Sequence, residues 1–199
     1  MKESPRAAAA CGTIYCDPER TRLWYAGGRL VPWRGLALRK TTLKQGVSAS
    51  SPMYERVSFV TGCMELLRTS YLHHIGPQDE RFFMYHDDIE YSGRIQRLGY
   101  DLLYVHRSVI YHKLVRADRS IHKLYYSVRN RLLLIDTTFT GFPGYFARLY
   151  FLVAIVLKLL VWRFSNKRFY VVGRMGLEDY FAGRFVEGRG IPLIFRSQT

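Results

Sequence analysis

Residues 79–112 read DERFFMYHDDIEYSGRIQRLGYDLLYVHRSVIYH. An aromatic run, Phe82-Phe83-Met84-Tyr85, passes directly into His86-Asp87-Asp88. The Asp pair suits the head of a helix, where a carboxylate accepts from unpaired backbone N–H groups and meets the positive end of the helix dipole. The spacing predicts a helix over 89–98, with Gly99 where a left-handed C-terminal glycine belongs. Residues 101–111 alternate as strand: Leu102-Leu103-Tyr104-Val105, a turn at His106-Arg107, then Val109-Ile110-Tyr111. Upstream, Val57-Ser58-Phe59-Val60 reads as a buried strand running into Thr61-Gly62, and 65–74 as a short helix stopped by Gly76-Pro77. Strand, helix, strand in this order predicts an α/β layer with a mixed sheet.

Farther out the signals are plainer. Residues 1–12 read as a poorly ordered start. Leu23-Trp24-Tyr25-Ala26 is strand-like, Gly27-Gly28 turns, and Arg29-Leu30-Val31 resumes before Pro32. Residues 39–54 read as a polar loop. Beyond His112, a helix is expected over 120–135, broken by Gly141-Phe142-Pro143-Gly144, and an apolar segment runs over 145–164. The expected division is an α/β region over 1–115 and a basic helical extension over 116–199.

The 199 residues carry 30 Lys+Arg against 16 Asp+Glu, a net charge of +14, with 48% hydrophobic residues. That composition excludes wholesale disorder and implies an anionic partner. Residues 1–115 hold 16 basic and 11 acidic side chains, and residues 116–199 hold 14 and 5. The excess therefore lies with the longest apolar stretch, which favours a membrane surface over nucleic acid. No helix-turn-helix, zinc-finger or RNP-like pattern is present, so no nucleic-acid partner is expected. Three cysteines, Cys11, Cys16 and Cys63, argue against a disulfide framework and fit a reducing compartment. The four alanines after Arg6 are too short for the apolar core of a secretory signal.

The segment 145–164 is long enough to span about 30 Å of hydrocarbon. Arg148, Lys158 and Arg163 interrupt it and share one arc of roughly 140° on a helical wheel. Three readings stand open: a helix lying in the membrane interface, a spanning helix that snorkels Lys158, and a helix buried against its own domain.

Asp79, Glu80, Asp87, Asp88 and Glu90 concentrate carboxylates around one helix start. A helix N-terminus holds a carboxylate ionised, and an ionised carboxylate on a rigid mount beside aromatic walls can act as a general base. The same residues also suit a capping cluster on an ordinary helix.

From about Tyr15 to His112 the chain resembles the C-terminal half of the catalytic domain of family 2 glycosyltransferases (inverting, GT-A fold), especially rhamnosyltransferase-like members that build bacterial cell-surface polysaccharides. The matching pieces are Leu23-Trp24-Tyr25-Ala26-Gly27-Gly28, Phe59-Val60-Thr61-Gly62-Cys63-Met64, residues 76–85 with His86-Asp87-Asp88-Ile89-Glu90, Leu98-Gly99-Tyr100 and Val109-Ile110-Tyr111-His112. Tyr125-Tyr126-x-x-Arg129-Asn130 and the stretch 183–190 are similar, less specifically, to that family's C-terminal extension.

The resemblance implies an α/β fold: a partial GT-A-like mixed sheet with flanking helices, followed by a helical, membrane-associated extension. It implies that Asp88 is the general base and that Asp87 orients the acceptor or supports the base. Thr61, Gly62, Tyr85, Glu90 and Arg94 become substrate-binding candidates. His112 falls on a histidine that helps ligate a divalent metal, Mg or Mn, in some members. The implied substrates are a nucleotide-sugar donor and a lipid-linked or glycan acceptor, at the cytoplasmic face of the plasma membrane. A complete enzyme of this family also needs a nucleotide-binding half with an Asp-x-Asp motif. The nearest string here is Asp17-Pro18-Glu19, so a truncated or split enzyme, or one half of a pair with a separate N-terminal half, is expected. The alternative is a non-catalytic, membrane-docking remnant or partner subunit.

Overall fold

Two side chains four residues apart on one helix, Asp88 and Ser92, tie that helix to Val60 and Gly62, in the segment that follows a strand. The structure, a computed structural model, describes residues 3–42, 53–113 and 120–185. The chain divides into two units. The first comprises Met1–Val31, Ala37–Gln78 and Asp88–Val115, and the second Pro32–Leu36, Asp79–Asp87 and Arg116–Thr199.

The first unit is mixed α/β. Its strands are β1 (Ala7–Asp17), β2 (Leu23–Tyr25), β3 (Gly28–Val31), β4 (Leu36–Arg39), β5 (Tyr54–Val57), β6 (Leu66–Leu67) and β7 (Asp101–Lys113). One sheet runs β2-β1-β7-β5, with β6 also paired to β1, while β3 and β4 form a two-stranded ribbon. β1 and β7 are parallel; β2, β5 and β6 pair antiparallel, so the sheet is mixed as expected.

The start of the chain departs from its reading. Residues 7–12, expected to be poorly ordered, form much of the central strand, with Ala7, Ala8 and Ala9 fully buried. Alanine has little strand preference of its own. Here flanking strands supply the hydrogen bonds, and small side chains suit a strand covered on both faces. Ala8, Cys11 and Ile14 pack with Tyr25, Tyr91 and Ile95, while Ala7 and Ala10 pack with Leu103.

β7 also differs. In place of a turn at His106-Arg107 it is one strand with a bulge: the register passes from Gly12↔Val105 to Thr13↔Val109. Gly12 admits the bulge, because a Cβ there would lie 2.2 Å from the Ser108 carbonyl oxygen. Gly12→Val should therefore destabilise the protein by about 3 kcal/mol or more, as an overpacked site that only backbone movement could relieve. A thermal melt of the variant matching wild type would contradict this.

The expected helix over 65–74 is replaced by β6, a 3-10 turn over Thr69–Tyr71 and the single helical turn α1 (Leu72–Ile75). The Arg68 side chain holds this segment extended by donating to the carbonyls of Ala7 and Ser4. The helix α2 (Asp87–Arg97) forms where expected, and Gly99 has φ +82°. α2 lays Tyr91 and Ile95 into the core.

The second unit is helical: α3 (Ser120–Thr138), α4 (Gly141–Ser165) and α5 (Lys167–Phe181). α4 starts at Gly141, so the break expected at 141–144 falls one step earlier, at Phe139-Thr140. Asn166 caps α5 by accepting from the Phe169 N–H. Gly176 lets α5 approach α3, where an added Cβ would sit 2.9 Å from the Tyr125 carbonyl oxygen. α4 is long and apolar enough to cross a membrane. Only Gly144, Ala147, Phe151 and Ile155 of α4 are buried, a stripe at helical spacing. Leu149, Val153, Leu157 and Leu160 are exposed, while Leu152, Leu159 and Trp162 are half-buried, so much of the apolar surface of α4 is left uncovered by the described residues. Residues 43–52 of the expected loop and 186–190 of the stretch with family likeness lie outside the described residues.

Candidate functional site

Strand β5 stops at Val57, short of the strand expected over Val57-Ser58-Phe59-Val60, and beyond an isolated bridge at Phe59 the fully buried Val60 leads into Thr61-Gly62-Cys63-Met64, a turn closed by a hydrogen bond from the Met64 N–H to the Thr61 carbonyl. Thr61 is buried, and its hydroxyl accepts from the Cys63 N–H at 3.5 Å. Two residues on one face of α2 fix this turn. The Ser92 hydroxyl bonds both the N–H (3.2 Å) and the carbonyl (3.3 Å) of Val60, and Asp88 Oδ2 accepts from the Gly62 N–H at 3.2 Å. Residues four apart share a helix face, which is why one helix can hold both. Gly62 lies close against α2: a Cβ there would be in ordinary contact with the Asp88 Cβ, at 3.7 Å.

Around this joint lie groups that spacing did not reveal. Cys63 is exposed on the turn and feels Asp88 and Arg39. Arg39, at the end of β4, places its guanidinium 4.3 Å from the centre of the Trp24 ring. Trp24 in turn meets the edge of His112, with ring centroids 5.2 Å apart. Of the residues expected in a site, Thr61, Gly62 and Asp88 are thus in direct contact, and His112 belongs to the same string of neighbours through Trp24, Arg39 and Cys63. Arg39 is the functional candidate that sequence reading missed. Its only signal was a basic residue beside a loop, which is common.

Glu90 and Arg94 are committed to each other. Glu90 is buried, and Arg94 Nη2 and Nε meet its carboxylate at 2.5 and 3.0 Å. Arg94 also donates to the carbonyls of Ile75 and Pro77, closing the loop before residue 79. An acidic and a basic residue at i and i+4 is the ordinary local ion pair of a helix.

Tyr85 and Asp87 fall in the second unit, within Asp79–Asp87. Three residues of this loop, Phe83, Tyr85 and His86, have φ of 55°, 66° and 70°. Non-glycine residues in that region cost of order 1–3 kcal/mol each and persist only where surroundings enforce them. Arg129 and Asn130, both fully buried on α3, provide the enforcement. Asn130 Nδ2 lies 2.7, 2.7 and 2.9 Å from the carbonyl oxygens of Phe82, Met84 and Tyr85. Arg129 Nη2 donates to the carbonyls of Arg81 and Phe82, and its Nε donates to Asn130 Oδ1. The loop leads straight into the first residues of α2.

Burial sets the thiol chemistry. Cys11 is pushed up to about 12 by burial in β1. Cys63 is raised by partial burial and by the Asp88 carboxylate, with Arg39 opposing. A raised value keeps the thiol protonated at neutral pH, so alkylation of Cys63 should be slow near pH 7 and still accelerating above pH 9, its ordinary value. Iodoacetamide should modify Cys63 well before Cys11 in the folded protein, read by peptide mass mapping. Earlier modification of Cys11 would contradict the arrangement.

No protein-family model matches this chain, and no curated protein matches it.

Proposed function

We propose that the chain is the acceptor-side part of an inverting glycosyltransferase of the family 2, GT-A type, working at the cytoplasmic face of a membrane with a nucleotide-binding half that carries the Asp-x-Asp motif. The observation that carries this reading is the Asp88–Gly62 joint. A carboxylate stands at a helix start against a glycine turn, and the exposed Cys63 of that turn feels both Asp88 and Arg39, whose guanidinium lies over Trp24.

In this reading the acceptor hydroxyl sits against the Thr61-Gly62 turn. Asp88 takes its proton as the oxygen attacks the anomeric carbon of a nucleotide sugar, and the diphosphate leaves from the opposite face, inverting the centre. The Gly62 N–H donates to the carboxylate and helps hold it in place. Arg39 offers a fixed positive charge for the leaving diphosphate, and Trp24 a flat wall for a sugar ring. Asp87 supports the base.

A divalent cation, Mg or Mn, belongs to the family's chemistry, where it would offset charge on the diphosphate. Among the described residues no three His, Cys, Asp or Glu side chains converge. A hard cation of this kind takes about six mainly oxygen ligands, so His112 does not make such a site by itself.

The exposed apolar surface of α4 supports membrane attachment, and the basic excess of the second unit supports an anionic surface. The test is transfer itself: full chain, membrane extract supplying a nucleotide-binding half, labelled nucleotide sugars and lipid-linked acceptors, with the product's anomeric configuration read by NMR. The reading expects acceptor-dependent transfer with inversion that requires this chain. Retention of configuration, or transfer indifferent to the chain, would contradict it and leave a docking role.

A further inference from the structure

We propose that Arg34, Arg131 and His86 form a binding site for a phosphate group in the second unit, at the depth of membrane headgroups. This goes beyond sugar transfer and does not depend on it.

The starting observation is a set of buried polar atoms without partners. Arg34 Nε, Arg131 Nε and His86 Nδ1 are all shielded from solvent and make no hydrogen bond. Buried polar atoms are nearly always paired, because leaving one unpaired forfeits its hydration. Three in one neighbourhood, all on basic side chains, therefore point to a group that completes them.

The sign of that group follows from the charges present. The charges acting on His86 are Arg131 and Lys123, both positive, and with burial they push its imidazole down to about 4. Arg131 is lowered to about 10 by burial and by Arg34. Among the described residues, no carboxylate is among the charges acting on either group. Arg131 Nη2 already donates to the Arg34 carbonyl at 2.6 Å, which fixes the two arginines side by side. Gly35, at φ +60°, lets this turn press onto α3, where a Cβ would lie 2.4 Å from Ile135 Cγ1. The cluster is thus a built feature that gathers like charges at a cost, and an oxyanion would offset that cost. Guanidinium forks suit the several oxygens of a phosphate.

The surroundings set the depth. Trp33, next to Arg34, is half exposed and meets the edge of Tyr150 on α4, ring centroids 6.3 Å apart. Arg131 lies 4.5 Å above the ring of Phe151, also on α4. Trp and Tyr favour the boundary between headgroups and acyl chains. The basic cluster therefore adjoins the aromatic part of an otherwise exposed apolar helix, where lipid phosphates lie. The ligand is a phosphomonoester or diphosphate, carried either by a membrane lipid or by a soluble molecule.

The test uses the full chain and two probes: inorganic pyrophosphate, by calorimetry in detergent, and flotation on phosphatidylcholine vesicles carrying phosphatidic acid or, at matched surface charge, phosphatidylserine. Wild type should prefer phosphatidic acid. The double variant Arg34→Gln, Arg131→Gln should bind those vesicles about 30-fold more weakly, as expected for two lost basic contacts, whereas Lys158→Gln on α4 should lose at most about fivefold. Arg131→Lys keeps the charge but not the fork and should also weaken binding. Displacement from vesicles by pyrophosphate identifies a site open to soluble phosphates; failure to displace, with the variant effects intact, identifies a lipid headgroup. A folded double variant that binds as tightly as wild type would overturn the proposal. If the double variant does not fold, wild type decides: no preference for phosphatidic acid and no pyrophosphate binding would equally overturn it.

Discussion

Asn130→Ala should lower the melting temperature by about 10 °C and, for the proposed transferase, reduce sugar transfer by about a hundredfold. The side chain has one amide group to offer, and it serves three carbonyls of the 82–85 loop while its oxygen steadies Arg129. Truncation leaves the half-buried Met84 and Tyr85 carbonyls without this donor, at about 1–3 kcal/mol apiece, while the Phe82 carbonyl keeps Arg129 and the Met84 N–H. It also frees a loop in which three non-glycine residues hold left-handed φ values, so the strain is released by rearrangement. A loss of about 3–4 kcal/mol corresponds to about 10 °C for a chain of this size. The activity loss has a separate origin: the loop enters α2 one residue before Asp88, and misplacing a reacting group by about 1 Å costs about 10²-fold. Asn130→Asp should be worse than Ala, since a carboxylate would face three carbonyl oxygens. Differential scanning fluorimetry and the transfer assay check both parts. Wild-type stability and rate in Asn130→Ala would mean the loop holds its shape unaided.

That clamp was hidden from the sequence for a physical reason. Its hydrogen bonds join residues 45–48 positions apart, and nothing local about Arg129-Asn130 announces the carbonyls it serves. Local signals fared better. The Asp pair, the helical period and Gly99 located α2 because caps and glycine conformations are decided within a few residues. β1 was illegible for the opposite reason. An alanine run becomes a strand only because β7 and β6 lie alongside it. The same holds for 65–74, where Leu66 and Leu67 pair with Ala10 and Ala9 in place of forming a helix.

The candidate site divides along the same line. Asp88 and the Thr61-Gly62 turn were singled out through family resemblance and do touch, across 26 positions. Glu90 and Arg94 carried the plain i, i+4 signature of an ion pair, and that is the contact they make. Arg39 entered only through its placement over Trp24.

The most direct measurement is the transfer rate of Asp88→Asn beside wild type, with acceptor affinity and melting temperature followed in the same samples. Asparagine keeps an oxygen that can accept from the Gly62 N–H, so the joint between α2 and the turn survives; what it loses is the ability to take a proton. A general base of this kind contributes about 10²–10⁴-fold. The account predicts a loss in that range with affinity and melting temperature unchanged. A variant that transfers sugar within about threefold of wild type, far inside that range, would show that Asp88 anchors the turn and does no chemistry.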